Sequence, residues 1–226
     1  MNIVKLASMH IYISCTIFPV IYCIAQPIVP EISNYNKNIQ WRTFEGVSQS
    51  EKANKIIADA EGNVVVISCP PNPYLAKLNG ETGDLIWENH MNSISGMLLG
   101  LTEIKNGNRI DYIISGGIGS TRERWVARLN GNTGSIIWQK SYPYAGGGEQ
   151  FDTVRNVTIG SDGFIFGSGH IQADEKDSFF VVYGGNAFIM KIDPSDGSEV
   201  WTSLNANAEF VAAHQEHSNG YLYYVA

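Results

Sequence analysis

Cysteine and positive charge are scarce in this 226-residue chain, and beyond its first 25 residues no segment repeats apolar residues with a helical period. The three cysteines are Cys15, Cys23 and Cys69, and the first two lie in the apolar leading stretch. Removal of that stretch leaves Cys69 alone, which excludes an internal disulfide and makes packing the source of stability. Fifteen Lys and Arg stand against 22 Asp and Glu, a formal net charge of −7. With no basic run, nucleic acid and anionic membrane surfaces are poor partners. Catalytic signatures are missing too. There is no Gly-x-Ser-x-Gly elbow around Ser168, and Gly116-Gly117-Ile118-Gly119 is followed by no helix to cradle a phosphate. His214 and His217, three apart on a strand-like segment, fall on opposite faces, and neither His90 nor His170 completes a zinc motif.

What is present points to strands and turns. Apolar residues make up 44%, enough for a core, and 23 glycines accompany 11 tyrosines and 9 phenylalanines. Residues 1–25 carry Lys5 and then the apolar run Ile11–Ala25, with small residues at Cys23 and Ala25 before Gln26. This is the pattern of a secretory signal peptide, and it implies a secreted, periplasmic or extracellular protein. The alternative is an uncleaved membrane anchor, since Leu6–Ala25 is long enough to span a bilayer. Pro19 and the cleavage-like end favour the signal. Residues 26–37, with two prolines and no periodicity, read as a linker.

The rest of the chain is organised around one hairpin. Tyr74–Trp87 (YLAKLNGETGDLIW) returns as Trp125–Trp138 (WVARLNGNTGSIIW) and as Ala187–Trp201 (AFIMKIDPSDGSEVW). Each copy is an apolar run with one Lys or Arg, a four-residue turn closing on Gly83, Gly134 or Gly197, and a run ending in Trp. A fourth Trp, Trp41, sits in Asn38–Phe44 without a preceding partner. Ahead of each hairpin comes a pair of strand-like runs: Ser50–Ala60 with Val64–Ser68, Ile94–Ile104 with Ile110–Ser115, and Val154–Ile159 with Phe164–Ser168. In the first run, Ala53, Ile56, Ile57 and Ala58 are the apolar positions. A further pair begins at Phe210–His214 and ends in Tyr221–Ala226.

Each unit is thus four strands, A to D, in meander order, on a period compatible with the roughly 40–50 residues of a propeller blade. Radial stacking protects strand edges that a flat array would expose. The expected fold is an all-β β-propeller over 38–226, built of four-stranded antiparallel blades. Complete blades fall near 45–90, 91–142 and 152–204, with a lone D strand at the start and a partial blade at 208–226. The apolar ending favours the first part of a larger propeller. The alternative is a four-bladed ring completed by the N-terminal strand.

The unit of apolar, Lys/Arg, Leu/Ile, Asn/Asp, turn, Thr/Asp, Gly and Trp resembles the pyrroloquinoline-quinone repeat of quinoprotein-type propellers. Asp59–Val66 (DAEGNVVV) is similar to the strands of bacterial secreted propeller-repeat proteins. For quinone-dependent dehydrogenases the resemblance implies adjacent cysteines near the cofactor, and acidic and Asn ligands for calcium. This chain has no adjacent cysteines. The expectation is therefore a secreted, non-enzymatic binding or scaffold domain with no cofactor and no metal. The alternatives are the N-terminal part of such a dehydrogenase, with the quinone and calcium, or part of a larger extracellular enzyme or adhesin.

Meander order places the A–B and C–D turns at one end of every blade and the long, varied B–C and D–A connections at the other. Binding residues favour irregular loops on a rigid frame, so the loop-rich end is the expected site for a protein or glycan partner. Its candidates are Tyr142, Tyr144 and Glu149 in Ser141–Phe151, and Asp174, Glu175 and Asp177 in Ile171–Gly185. Lys176 interrupts the last three and no Asp-x-Asp-x-Asp-Gly occurs, so a solvated acidic loop is expected in place of a calcium site. Asp193, Asp196 and Glu199 flank a C–D turn and suit turn chemistry, since such residues accept local backbone hydrogen bonds. Trp41, Trp87, Trp138 and Trp201 recur once per unit, as packing residues would. Asn156-Val157-Thr158 is a glycosylation sequon, though it lies in an expected strand.

Overall fold

In the computed structural model the described residues are 52–69, 73–92, 94–119, 123–143, 151–173, 185–205, 208, 213–216 and 221–225. The chain forms two units, Met1–Ile39 and Gln40–Ala226. The expected signal peptide (1–25), the linker (26–37) and Trp41 lie outside the described residues, as do Tyr144, Glu149, Asp174, Glu175, Asp177 and His217.

The second unit is all strand and turn among the described residues. β1 (Lys52–Ala58), β2 (Val64–Cys69), β3 (Tyr74–Leu78) and β4 (Leu85–His90) form the first four-stranded sheet. β5 (Gly96–Asn106), β6 (Arg109–Ile118), β7 (Glu123–Leu129) and β8 (Ile136–Tyr142) form the second. β9 (Phe151–Ile159), β10 (Ile165–Ala173), β11 (Asn186–Ile192) and β12 (Glu199–Asn205) form the third. β13 (Ala213–Glu216) and β14 (Leu222–Val225) make a two-stranded fourth. Every pairing is antiparallel between consecutive strands, and the first strands touch in succession, β1 with β5, β5 with β9 and β9 with β13. This is β-propeller architecture: three complete blades and part of another.

The strand period of two explains where the core sits. Tyr112 and Ile114 of β6, with Trp125, Ala127 and Leu129 of β7, face blade 1 and pack with Val65, Ile67, Leu75 and Trp87. The intervening residues, Ile113 and Val126, face blade 3 and pack with Val154, Ile165, Phe188 and Met190. The middle strands are therefore apolar on both faces, whereas β4 and β12 are largely exposed. Two details go beyond the sequence reading. Ile56, one of the apolar positions of the first run, faces outward: on the innermost strand it is 66% exposed. The strand expected over Ile110–Ser115 runs further: Gly116, Gly117 and Ile118 continue β6 in register with Leu98, Met97 and Gly96, and the chain turns only at Gly119.

The three C–D turns share one geometry. Asn79, Asn130 and Asp193 receive the Gly83, Gly134 and Gly197 amides on their carbonyls at 2.8, 2.8 and 2.9 Å, and those glycines have φ of 74°, 69° and 75°. The side chains of Asn79, Asn130 and Asp193 accept backbone N–H groups two residues on, at 2.9, 2.9 and 2.8 Å. Their oxygens serve the turn itself. A register shift follows the Lys or Arg of each C strand, at Lys77/Leu78, Arg128/Leu129 and Lys191/Ile192.

Candidate functional site

At the short-turn end, the polar groups are used between blades. The Trp87 indole N–H donates to the Gly131 carbonyl at 2.9 Å, and Trp138 does the same to Pro194 at 3.0 Å. A Cβ on Gly134 would stand 2.5 Å from the Trp87 ring, and one on Gly197 2.7 Å from Trp138. The turn glycine thus serves twice, supplying positive φ and letting the ring lie on bare backbone. Trp201 has the same sequence position but is 41% exposed, against 8% for Trp87, and rests against Phe166 with ring centroids 6.1 Å apart.

The repeated Lys or Arg, to which the sequence assigned no role, completes this end. Lys77 Nζ lies 3.1 Å from the buried Asp59 carboxylate, which also accepts the Tyr112 hydroxyl of the next blade at 2.6 Å. Burial alone would raise the Asp59 pKa, but the bonds from Tyr112, the Asn63 amide and Lys77 hold it below the usual value. Arg128 bonds Asp111 at 2.7 Å and reaches the Pro194 carbonyl of blade 3 at 2.9 Å. Lys191 pairs with the more exposed Asp162 at 2.6 Å. Each C-strand cation therefore ties its hairpin to an acid of its own blade's A–B hairpin. The signal was in the sequence as one basic residue per repeat; its partners come from different strands.

Several residues weighed for binding or chemistry do structural work. Tyr142 is not a loop recognition residue: it ends β8, is 6% exposed, and donates its hydroxyl to the Gly197 carbonyl at 2.7 Å. Burial raises its pKa. Asn156 sits within β9 and accepts the Lys55 ammonium at 3.1 Å, so the first strands of blades 1 and 3 meet through their side chains. That position lacks the open surface loop a glycan acceptor needs. Ser168 lies in the middle of β10, completely buried, with its hydroxyl 2.6 Å from His214 Nδ1. The pair is sealed from solvent and packs β13 against blade 3.

His214 is the titrating element of that contact. Its Nε2 is 2.8 Å from the Thr158 hydroxyl and 3.1 Å from the Phe166 carbonyl. Burial, helped by the nearby Lys55 charge and opposed by the Phe166 bond, lowers its pKa from 6.5 to about 4. A His lowered in the folded state costs stability in acid, because the unfolded chain takes the proton first. As pH falls from 6.5 to about 4 the loss should approach roughly 3 kcal/mol at 1.36 kcal/mol per unit. Urea midpoints measured across this window should fall in the native chain and flatten in His214→Gln. A native profile already flat there would show the proton is not excluded.

The loop-rich end of blade 2 holds a cleft of about 480 Å³. Ile94 and Ser95 from the D–A connection, Ile118 and Gly119 from the B–C turn, Trp125 of β7 and residues 139–141 of β8 line it. Two bonds brace it: the Gly119 amide donates to the Ser95 carbonyl at 2.7 Å, and Trp125 Nε1 donates to Gln139 Oε1 at 3.3 Å. Register places Ser141 opposite Trp125 and Gln139 opposite Ala127, so all four share the face toward blade 1. Among the described residues, the Ser95 and Ser141 hydroxyls and the Gln139 amide nitrogen have no protein partner. Floor and wall are apolar, and Ser95, Gln139 and Ser141 give a polar rim, with Lys140 between the last two.

Fold and end-to-end asymmetry together define a β-propeller. Residues 122–226, just under half of the chain, match the family model for outer membrane protein assembly factor BamB, of the pyrroloquinoline-quinone repeat type. Among solved structures, a protein of unknown function from Bacteroides caccae superposes with a TM-score of 0.52 at 15% identity, covering 78% of this chain and 57% of that one. The chain thus spans little more than half that protein's length. A quinohemoprotein alcohol dehydrogenase from Pseudomonas putida HK5 gives 0.43 at 14% identity, covering 72% and 29% of the two chains. BamB from Moraxella catarrhalis gives 0.29 at 10%, covering 67% and 64%. The last two superpose too loosely to carry an argument. No curated protein matches the chain. The protein is a β-propeller whose residues 122–226 match a pyrroloquinoline-quinone-type repeat family.

Proposed function

We propose that this protein is a secreted, non-enzymatic scaffold that binds a protein partner through the loop-rich end of its blades. The observation that carries this is the contrast between the two ends. At the short-turn end, the Gly131 and Pro194 carbonyls and the acids Asp59 and Asp111 are occupied by neighbouring strands and blades. At the other end lies a cleft rimmed by Ser95, Gln139 and Ser141. The match of residues 122–226 to an assembly factor supports a protein partner. The signal-like start of the chain supports export.

The dehydrogenase alternative is not favoured. A calcium-bound quinone needs several oxygen ligands, and among the described residues no three His, Cys, Asp or Glu side chains gather to hold a metal. The buried acids are already neutralised by Lys77, Arg109 and Arg128. No cofactor is part of this proposal.

Selection from a displayed library of random peptides on the full-length protein tests the proposal. Enriched peptides should bind at least tenfold more weakly to Ser95→Arg, at the loop-rich end, and unchanged to Glu81→Arg, on a short turn. Failure to enrich peptides, or loss of binding only in Glu81→Arg, would overturn it.

A further inference from the structure

We propose that the cleft on blade 2 receives one uncharged aliphatic side chain of an extended polypeptide, whose flanking peptide groups bond Ser95, Gln139 and Ser141. This rests on the loop-rich end being the binding end, and names what it binds. The first support is the lining. Ile94 and Trp125 are buried beneath the cleft and Ile118 forms its half-buried wall. Such a surface favours an apolar group and gives a charged one no compensation for lost water.

The second support is the rim. Gln139 is held by the Trp125 N–H on its carbonyl oxygen, which leaves the amide N–H₂ as two donors in a fixed place. The Ser95 and Ser141 hydroxyls each donate and accept. A peptide group beside an inserted side chain presents the carbonyl and N–H that such a rim satisfies. Lys140, the one ionisable lining residue, pairs in register with Val126 on the opposite face of β8. Its charge bears instead on Asp196, whose carboxyl is lowered first by Ser198 and then by Lys140. Register thus puts the Lys140 side chain on the face of β8 away from Gln139 and Ser141.

The same geometry argues against a sugar. Glycan recognition draws on an open aromatic face, and Trp125 is only 1% exposed, covered by its neighbours. The volume, about 480 Å³, is that of a small preformed pocket and accommodates a side chain with its adjoining peptide groups. The Gly119–Ser95 brace joins the two connections that form its walls, so little ordering is required on binding.

The test titrates four probes into the full-length protein while following backbone amides by NMR: N-acetyl-leucine methylamide, the glutamate and lysine counterparts, and methyl β-glucoside. The leucine probe should bind with millimolar affinity and shift residues 95, 119 and 139–141. Ser141→Trp, a strand-compatible change at an exposed position that fills the cleft, should weaken it at least tenfold with an unchanged melting temperature. Gln139→Ala should weaken it several-fold. Preference for a charged probe or for the glucoside, undiminished binding in Ser141→Trp, or no binding of the leucine probe overturns the proposal. If library peptides bind Ser141→Trp normally yet fail on Ser95→Arg, the cleft assignment falls while the loop-rich end stands. If no peptide binds at all, both fall.

Discussion

Replacing Trp87 by alanine is expected to cost about 3–5 kcal/mol, whereas the same change at Trp201 should cost less than about 1 kcal/mol. The sequence treats these residues alike, since each lies four residues after the turn glycine of its hairpin. The structure separates them. Trp87 is enclosed between blades 1 and 2, packs beside Tyr112 at 6.1 Å, and its indole bond to Gly131 is buried. Removing it leaves a cavity in the larger core cluster and an unsatisfied carbonyl. Trp201 projects from the outer strand of blade 3 and already meets water over 41% of its surface. Urea unfolding of the two variants measures the contrast. Equal losses would mean that Trp201 is covered in solution by something equivalent to the Gly131–Gly134 turn.

A loss of similar size, about 3–5 kcal/mol, is expected for Asp111→Ala. Asp111 is completely buried and accepts from Arg109 at 2.7 Å, Arg128 at 2.7 Å, Asn106 at 3.0 Å and the Gly131 amide at 3.2 Å. Burial would raise its pKa, but the two guanidinium groups, the Gly131 amide and Asn106 bring it below the usual carboxylate value. An aspartate lowered in this way stabilises the fold above its unfolded pKa and loses that contribution as pH falls, in the same direction as His214. Truncation leaves Arg128 nearly buried without its anion. Asp162→Ala in blade 3 is the comparison: its bond to Lys191 is exposed, so a change below about 1 kcal/mol is expected. The double variant Asp111→Ala/Arg128→Met should recover part of the loss. No recovery would show that Asp111 acts through the backbone at Gly131 and not through the ion pair.

Much of the fold was legible because it rests on local rules. The turn glycines had to be glycine for positive φ, and alternation in YLAKL and WVARL marked strands whose two faces are both covered. Three copies of one hairpin marked blades. The site was less legible. Tyr142 looked like a loop tyrosine because Pro143 and the glycines follow it, yet its ring belongs to the blade 2–3 interface. The cleft draws on Ile94, Gly119, Trp125 and Gln139, which have no common spacing and meet only when β7, β8 and two connections stack.

The sequence by itself determined the strand order, the turns and the number of repeats, since each depends on residues within one hairpin. Tertiary structure decided which of the three equivalent tryptophans is buried, which acid each repeated cation takes, and which turn carbonyls are taken up by a neighbouring blade. Those outcomes depend on the neighbouring blade, because a side chain ending a D strand is enclosed only where the next blade brings up its C–D turn.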